Sequence, residues 1–84
     1  MLEPEFSGVA RDQYEGIARA YRHHVDAVLG MLCATDGRRP PSRSYAGLIE
    51  RQIDIAHPVT GAFIARMVFR VDGARLRVLM FQPR

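Results

Sequence analysis

Eighty-four residues, 48% hydrophobic and 25% charged with a formal net charge of +3, make one small soluble domain and exclude a disordered chain. The longest apolar run, Ala27 to Ala34, is too short to cross a bilayer. Glu3, Pro4 and Glu5 stand where a signal peptide needs positive charge, and a single cysteine, Cys33, allows no internal disulfide, so a cytoplasmic location without membrane contact is expected.

The charge is unevenly spread. Residues 1–36 carry three Arg against six acids, and residues 37–84 carry nine Arg against three. All twelve cations are Arg. Arg makes planar, bidentate contacts with carboxylates and phosphates, whereas Lys is a point charge. Codon bias of a GC-rich genome also yields Arg without Lys. A basic half attracts something anionic, either an acidic protein surface or nucleic acid.

In chain order, residues 1–8 read as an irregular lead-in, from which Leu2 and Phe6 tuck against a core. Asp12-x-x-Glu15 forms a capping box and Ser7 is a competing cap. Residues 9–36 read as one long helix. Its apolar stripe is Ala10, Tyr14, Ile17, Tyr21, Val25, Val28 and Leu32, and Glu15, Arg19, Arg22 and Asp26 lie opposite. A third side carries Gly16, Ala20, His23, Ala27, Gly30 and Ala34. These small residues either narrow the helix against the sheet or form a homodimer seam through Gly16, Ala20, Ala27 and Gly30. Gly37 stops the helix. Residues 37–47 read as a basic loop in which Arg38, Arg39 and Arg43 are a secondary candidate contact for an anion.

Residues 48–82 read as sheet. Leu48 to His57 is a first strand, with Ile49, Ile53 and Ile55 on one side, Glu50, Gln52 and Asp54 on the other, and Arg51 intruding on the apolar side. After the His57–Gly61 turn, Ala62 to Gln82 forms a hairpin about an Asp72-Gly73 loop, a favoured two-residue connection. That loop pairs Phe69 with Leu76, Met67 with Val78 and Ala65 with Met80 on the helix side. It pairs Arg70 with Arg75, Val68 with Arg77, Arg66 with Leu79 and Ile64 with Phe81 on the outer side. The expected fold is α+β, one long N-terminal helix packed on a three-stranded antiparallel β-meander with Ala62–Val71 in the centre.

Catalytic motifs are missing. There is no Cys-x-x-Cys, His-Glu-x-x-His, phosphate-binding glycine loop or Gly-x-Ser-x-Gly. His23 and His24 are neighbours whose side chains leave a helix about 100° apart, so they are expected to be a surface contact with Asp26 and a partly buried core residue, not metal ligands. Cys33 reads as a small core hydrophobe. No enzyme, metal or cofactor is expected. The unusual surface is the outer sheet face, where Val68, Leu79 and Phe81 mix with Arg66, Arg70, Arg75 and Arg77. An apolar patch rimmed by Arg marks a partner surface. The alternative is an internally salt-bridged face, partly neutralised by Glu50, Gln52 and Asp54, whose apolar members are covered by the 35–47 loop or the N-terminus.

The stretch Arg66 to Leu79 (RMVFRVDGARLRVL) resembles the closing strand pair of RelE/ParE-type toxins, over about a quarter of the chain. That family begins with a strand and then a helical hairpin, where this sequence reads as one helix. The C-terminal Tyr or His of its ribonuclease members falls near Phe81 and Gln82, which cannot replace them. The resemblance implies a toxin or nucleic-acid binder. The residues themselves imply a non-catalytic binding module that occupies a partner surface, preferably that of an acidic protein. In size and lack of chemistry it is similar to small phage- or plasmid-borne inhibitors and regulators, anti-defence proteins among them.

Overall fold

The chain opens with a strand, not an irregular lead-in. The structure is a computed structural model describing residues 1–35, 42–45 and 48–83, with 42–45, 48 and 49 described by backbone alone; β1 spans Glu3–Phe6. Pro4 disguises it in the sequence, because proline brings no N–H to a ladder. β1 is an edge strand, where proline is tolerated. It runs parallel to the last strand, with Glu3 opposite Arg75 and Phe6 opposite Val78. Glu3 N–H donates to the Ala74 carbonyl at 2.9 Å and Ser7 N–H to that of Val78 at 3.0 Å. Leu2 is buried and Phe6 packs against the core.

Two helices follow in place of the single one expected. Helix α1 spans Gly8–Gly16, and its cap is Ser7, whose hydroxyl accepts from Ala10 N–H at 3.0 Å. Helix α2 spans Arg19–Ala34. Between them Ile17 and Ala18 are extended, with ψ of 135° and 134°. Gly16 is a poor helix residue, and the carbonyls freed at the break find a donor in Arg22. Its guanidinium donates to Ile17 O at 2.9 Å and to Glu15 O, 5.7 Å above the Tyr14 ring. The Tyr14 hydroxyl donates to Asp26 Oδ1 at 2.7 Å and ties the helices together. The break also changes the phase of the apolar stripe. Val25, Leu29, Leu32 and Cys33 are the buried residues of α2, while Tyr21 is 43% exposed.

The remaining strands are β2 (Ser42–Tyr45), β3 (Leu48–Ala56), β4 (Phe63–Asp72) and β5 (Arg75–Gln82). β2 falls within the stretch read as loop. The sheet order is β1-β5-β4-β3-β2, an antiparallel meander with a parallel strand added at one edge. Over the described residues the fold is therefore α+β with two helices and a mixed sheet, and β4 is central as expected. Helix stop Gly37 and loop residues Arg38 and Arg39 lie outside the described residues.

The β4–β5 hairpin turns one position later than expected. Asp72 pairs with Arg75, so Gly73 and Ala74 are the loop. Gly73 supplies the positive φ (61°) at the first loop position that the primed hairpin turns require. Pairing then runs Val71 with Leu76, Arg70 with Arg77 and Phe69 with Val78, but Val68 pairs with Met80. Leu79 is the extra residue of a β-bulge, and past it alternation inverts. Phe81 turns toward the helices beside Met67, and Met80 turns outward beside Val68. Helix α1 holds this bulge: Ser7 Oγ donates to Leu79 O, and Phe81 N–H donates to Gln13 Oε1, both at 2.7 Å. A second irregularity pairs Ile55 with Ala65 but Ala56 with Phe63, which leaves Ile64 unopposed and packed against the core.

The core lies between both helices and one face of the sheet. Ala10, Val25, Leu32, Ile55, Met67, Phe69, Leu76 and Val78 are at most 1% exposed. Phe6, Tyr14 and Phe81 form an aromatic cluster at one end, with ring centroids 5.3 to 6.2 Å apart. Cys33 is buried and free, and burial pushes its thiol above the usual range.

Candidate partner-binding face

The sheet face turned away from the helices is built by alternation and register. It carries Arg66, Val68, Arg70 and Asp72 from β4 and Arg75, Arg77 and Met80 from β5. Glu50, Gln52 and Asp54 come from β3, and Glu3 and Glu5 from β1. The buried residues of both helices join one cluster with the opposite sheet face, so neither helix covers this one.

Each of the four arginines of β4 and β5 on this face has a carboxylate beside it. Arg66 Nε donates to Asp54 Oδ1 at 2.7 Å, and this hydrogen bond raises the Arg66 pKa above its usual value. Arg75 reaches Glu5 at 2.8 Å and Arg77 the same carboxylate at 3.2 Å. Asp72 sits between Arg77 at 3.6 Å and Arg70 at 4.0 Å. Arg70 and Arg77 are thus the directly opposed cations, where the sequence suggested Arg70 and Arg75, and Asp72 relieves their repulsion. Arg70 is the least satisfied of the four. Among the described residues its one ion pair is the longest, and its Nε is enclosed without a hydrogen-bond acceptor. The four guanidinium side chains remain 35% to 62% exposed.

Val68 is 3% exposed yet stands outside the helix-side core. Gln52 and Met80 oppose it, and Arg66 and Arg70 are its same-face neighbours on β4; arginine stems commonly cover apolar surface in this way. Of the apolar residues expected here, Val68 is in place. Leu79 sits in the bulge with its carbonyl bound to Ser7, and Phe81 is 3% exposed on the helix side. One inserted residue moved Phe81 off the face and brought Met80, 36% exposed, onto it. Glu5 escaped sequence reasoning because β1 did, and Asp72 because it was placed in the loop.

Elsewhere, Arg43 of β2 is opposite Glu50 by register, and Arg51 is on the helix side opposite Phe69. Gly16 of α1 and Ala20, Ala27 and Gly30 of α2 are exposed, so they do not narrow either helix against the sheet. His23 does not keep the expected contact with Asp26, which holds the Tyr14 hydroxyl. The His23 ring lies 3.9 Å from that of His24, itself 4.8 Å from that of His57. Among the described residues no group of three or more His, Cys, Asp or Glu is placed to hold a metal, and no helix is long and apolar enough to cross a membrane. Comparison with protein-family models, curated proteins and solved structures finds no match.

Proposed function

We propose that the chain is a non-catalytic binding module whose open sheet face, centred on Arg70 and Arg77 with Val68 between the arginine stems, docks on a partner protein. The observation that carries this reading is Arg70, an arginine on the central strand of a sheet face that neither helix covers, 35% exposed and, among the described residues, with only a 4.0 Å ion pair. An external carboxylate has more to offer this guanidinium than its own neighbours do. The other three arginines are already oriented by Glu5, Asp54 and Asp72, which lowers the entropy lost on binding.

A protein partner is favoured over nucleic acid by the face's charge. By register five arginines, Arg43 of β2 included, stand among five carboxylates, Glu3, Glu5, Glu50, Asp54 and Asp72. Such a mixed face gives short-range complementarity and little long-range attraction for a polyanion. A small inhibitor or regulator that works by occupying a surface fits these properties. The experiment is co-purification of the tagged chain from its native host, followed by binding of the recovered partner at rising salt. A shallow salt dependence supports a protein held by a mixed face; a steep log-log decline is the signature of phosphate neutralisation.

The second reading is a RelE/ParE-like toxin. It is favoured by the opening order of strand, α1 and α2 ahead of the antiparallel strands, the order that the resemblance implies. Against it, Phe81 lies inside, and on β4 and β5 the shifted register leaves the face a single aromatic for base stacking, Phe63, opposite Ala56 at the end of β4. Growth arrest on expression, with mRNA cleavage or gyrase poisoning, is the outcome that would select it.

A further inference from the structure

The three histidines lie on the helix side, away from the proposed docking face. We propose that His23, His24 and His57 form an acid-sensitive latch that holds the first turns of α2 against the β3–β4 turn at neutral pH and releases them when the imidazoles take up protons. The rings form a continuous row, with centroids 3.9 Å apart for His23 and His24 and 4.8 Å apart for His24 and His57. Tyr21, one helical turn before His24, adds an edge-on contact to His57 at 6.4 Å. These ring contacts join two elements distant in sequence.

The hydrogen bonding of His57 makes the latch conditional on charge. Its Nδ1 accepts from Val59 N–H and Thr60 N–H, both at 3.2 Å. A nitrogen that accepts carries no proton, so the neutral ring bears its hydrogen on Nε2. A second proton has only Nδ1 to go to, where it meets two donors and removes both turn contacts. His24 is half-buried in the middle of the row. Burial, then the nearness of His23 and His57, holds its pKa below the usual imidazole value. The sign follows: the folded state prefers neutral His24, so its stabilising contribution is present above the ordinary imidazole pKa and is lost as pH falls through the lowered folded value.

Among the described residues little nearby compensates three positive rings. On α2, Arg19 lies one turn before His23 and adds positive charge, Arg22 is bound to the end of α1, and Asp26 is engaged by Tyr14. On β3, Asp54 is on the opposite sheet face, bound to Arg66. Residues 58–62 of the turn carry no charge.

Circular-dichroism melts of the full chain between about pH 7.5 and about pH 5 test the latch in the window where imidazoles titrate. The wild type is expected to lose about 5 °C or more in melting temperature, and His24→Gln/His57→Asn less than half as much. The asparagine oxygen still accepts the turn N–H groups but does not titrate. Each protein is compared with itself across pH, so a variant less stable at neutral pH still reports. Amide exchange provides a second readout: the opening constant at Val59 and Thr60, corrected for intrinsic exchange, should rise about tenfold in acid, equivalent to about 1.4 kcal/mol. A wild type whose melting temperature does not move, or an equal loss in both proteins, overturns the proposal.

Discussion

Phe81 and Met80 carry the clearest residue-scale consequence of the fold. They are neighbours on β5, and the Leu79 bulge gives the buried place to the first and the exposed place to the second. Phe81→Ala should cost about 3–5 kcal/mol through lost contacts and a cavity beside Phe6 and Tyr14, and Met80→Ala should stay within about 0.5 kcal/mol. Urea denaturation of both variants checks this, and the opposite order would restore unbroken alternation. Met67, fully buried, should cost about 2–5 kcal/mol as Met67→Ala. Val68→Ala should cost about 1–2 kcal/mol, since Val68 is buried on its own face but loses fewer carbons. Alternation from Ala65 to Phe69 was legible in the sequence because each inward position there is apolar. The inversion past Leu79 was not, because Met80 and Phe81 are both apolar and either can face in. What decides between them is remote: Ser7 and Gln13 reach the bulge from sequence positions about seventy residues away.

At the scale of elements, the break between α1 and α2 separates what propensity says from what packing does. Periodicity predicts one helix over residues 9–36, with Gly16 read only as part of a small-residue side. The break is held by Arg22, whose partners are carbonyls and therefore leave no trace in residue type. Arg22→Ala should cost about 1–2 kcal/mol by leaving Ile17 O and Glu15 O without this donor. Gly16→Ala should be neutral or stabilise by up to about 1 kcal/mol, because nothing lies within 4 Å of an added Cβ. In thermal melts the first variant should fall and the second should stay level or rise. A strongly destabilising Gly16→Ala would mean that the break depends on glycine itself. β1 and β2 were missed for complementary reasons. β1 contains Pro4, and β2 contains two serines and follows Pro-Pro, so both show turn composition while drawing their strand character from a neighbouring strand's backbone. Ser7→Ala, which removes the helix cap and the tie to Leu79, should cost about 1–3 kcal/mol.

For the whole molecule, both helices pack on one sheet face, so neither covers the other face, and among the described residues the arginines there stay partly exposed. Sequence alternation placed Arg66, Arg70, Arg75 and Arg77 on one face, and the shifted turn preserved this because it moved the pairing by an even number of residues. Their partners were less legible, since Glu5 arrives on a strand that composition conceals. Charge reversal at Arg70 and Arg77 would bring new carboxylates against Asp72 and Glu5, so neutral substitutions separate binding from folding more cleanly. The most direct test is co-purification from the native host with wild-type chain and with Arg70→Gln/Arg77→Gln, each first shown by circular dichroism to be folded. A specific partner protein should be retained by the wild type and lost, or weakened at least about tenfold, with the folded double variant. Recovery of the same partner at the same affinity by both proteins would contradict a docking role for the sheet face.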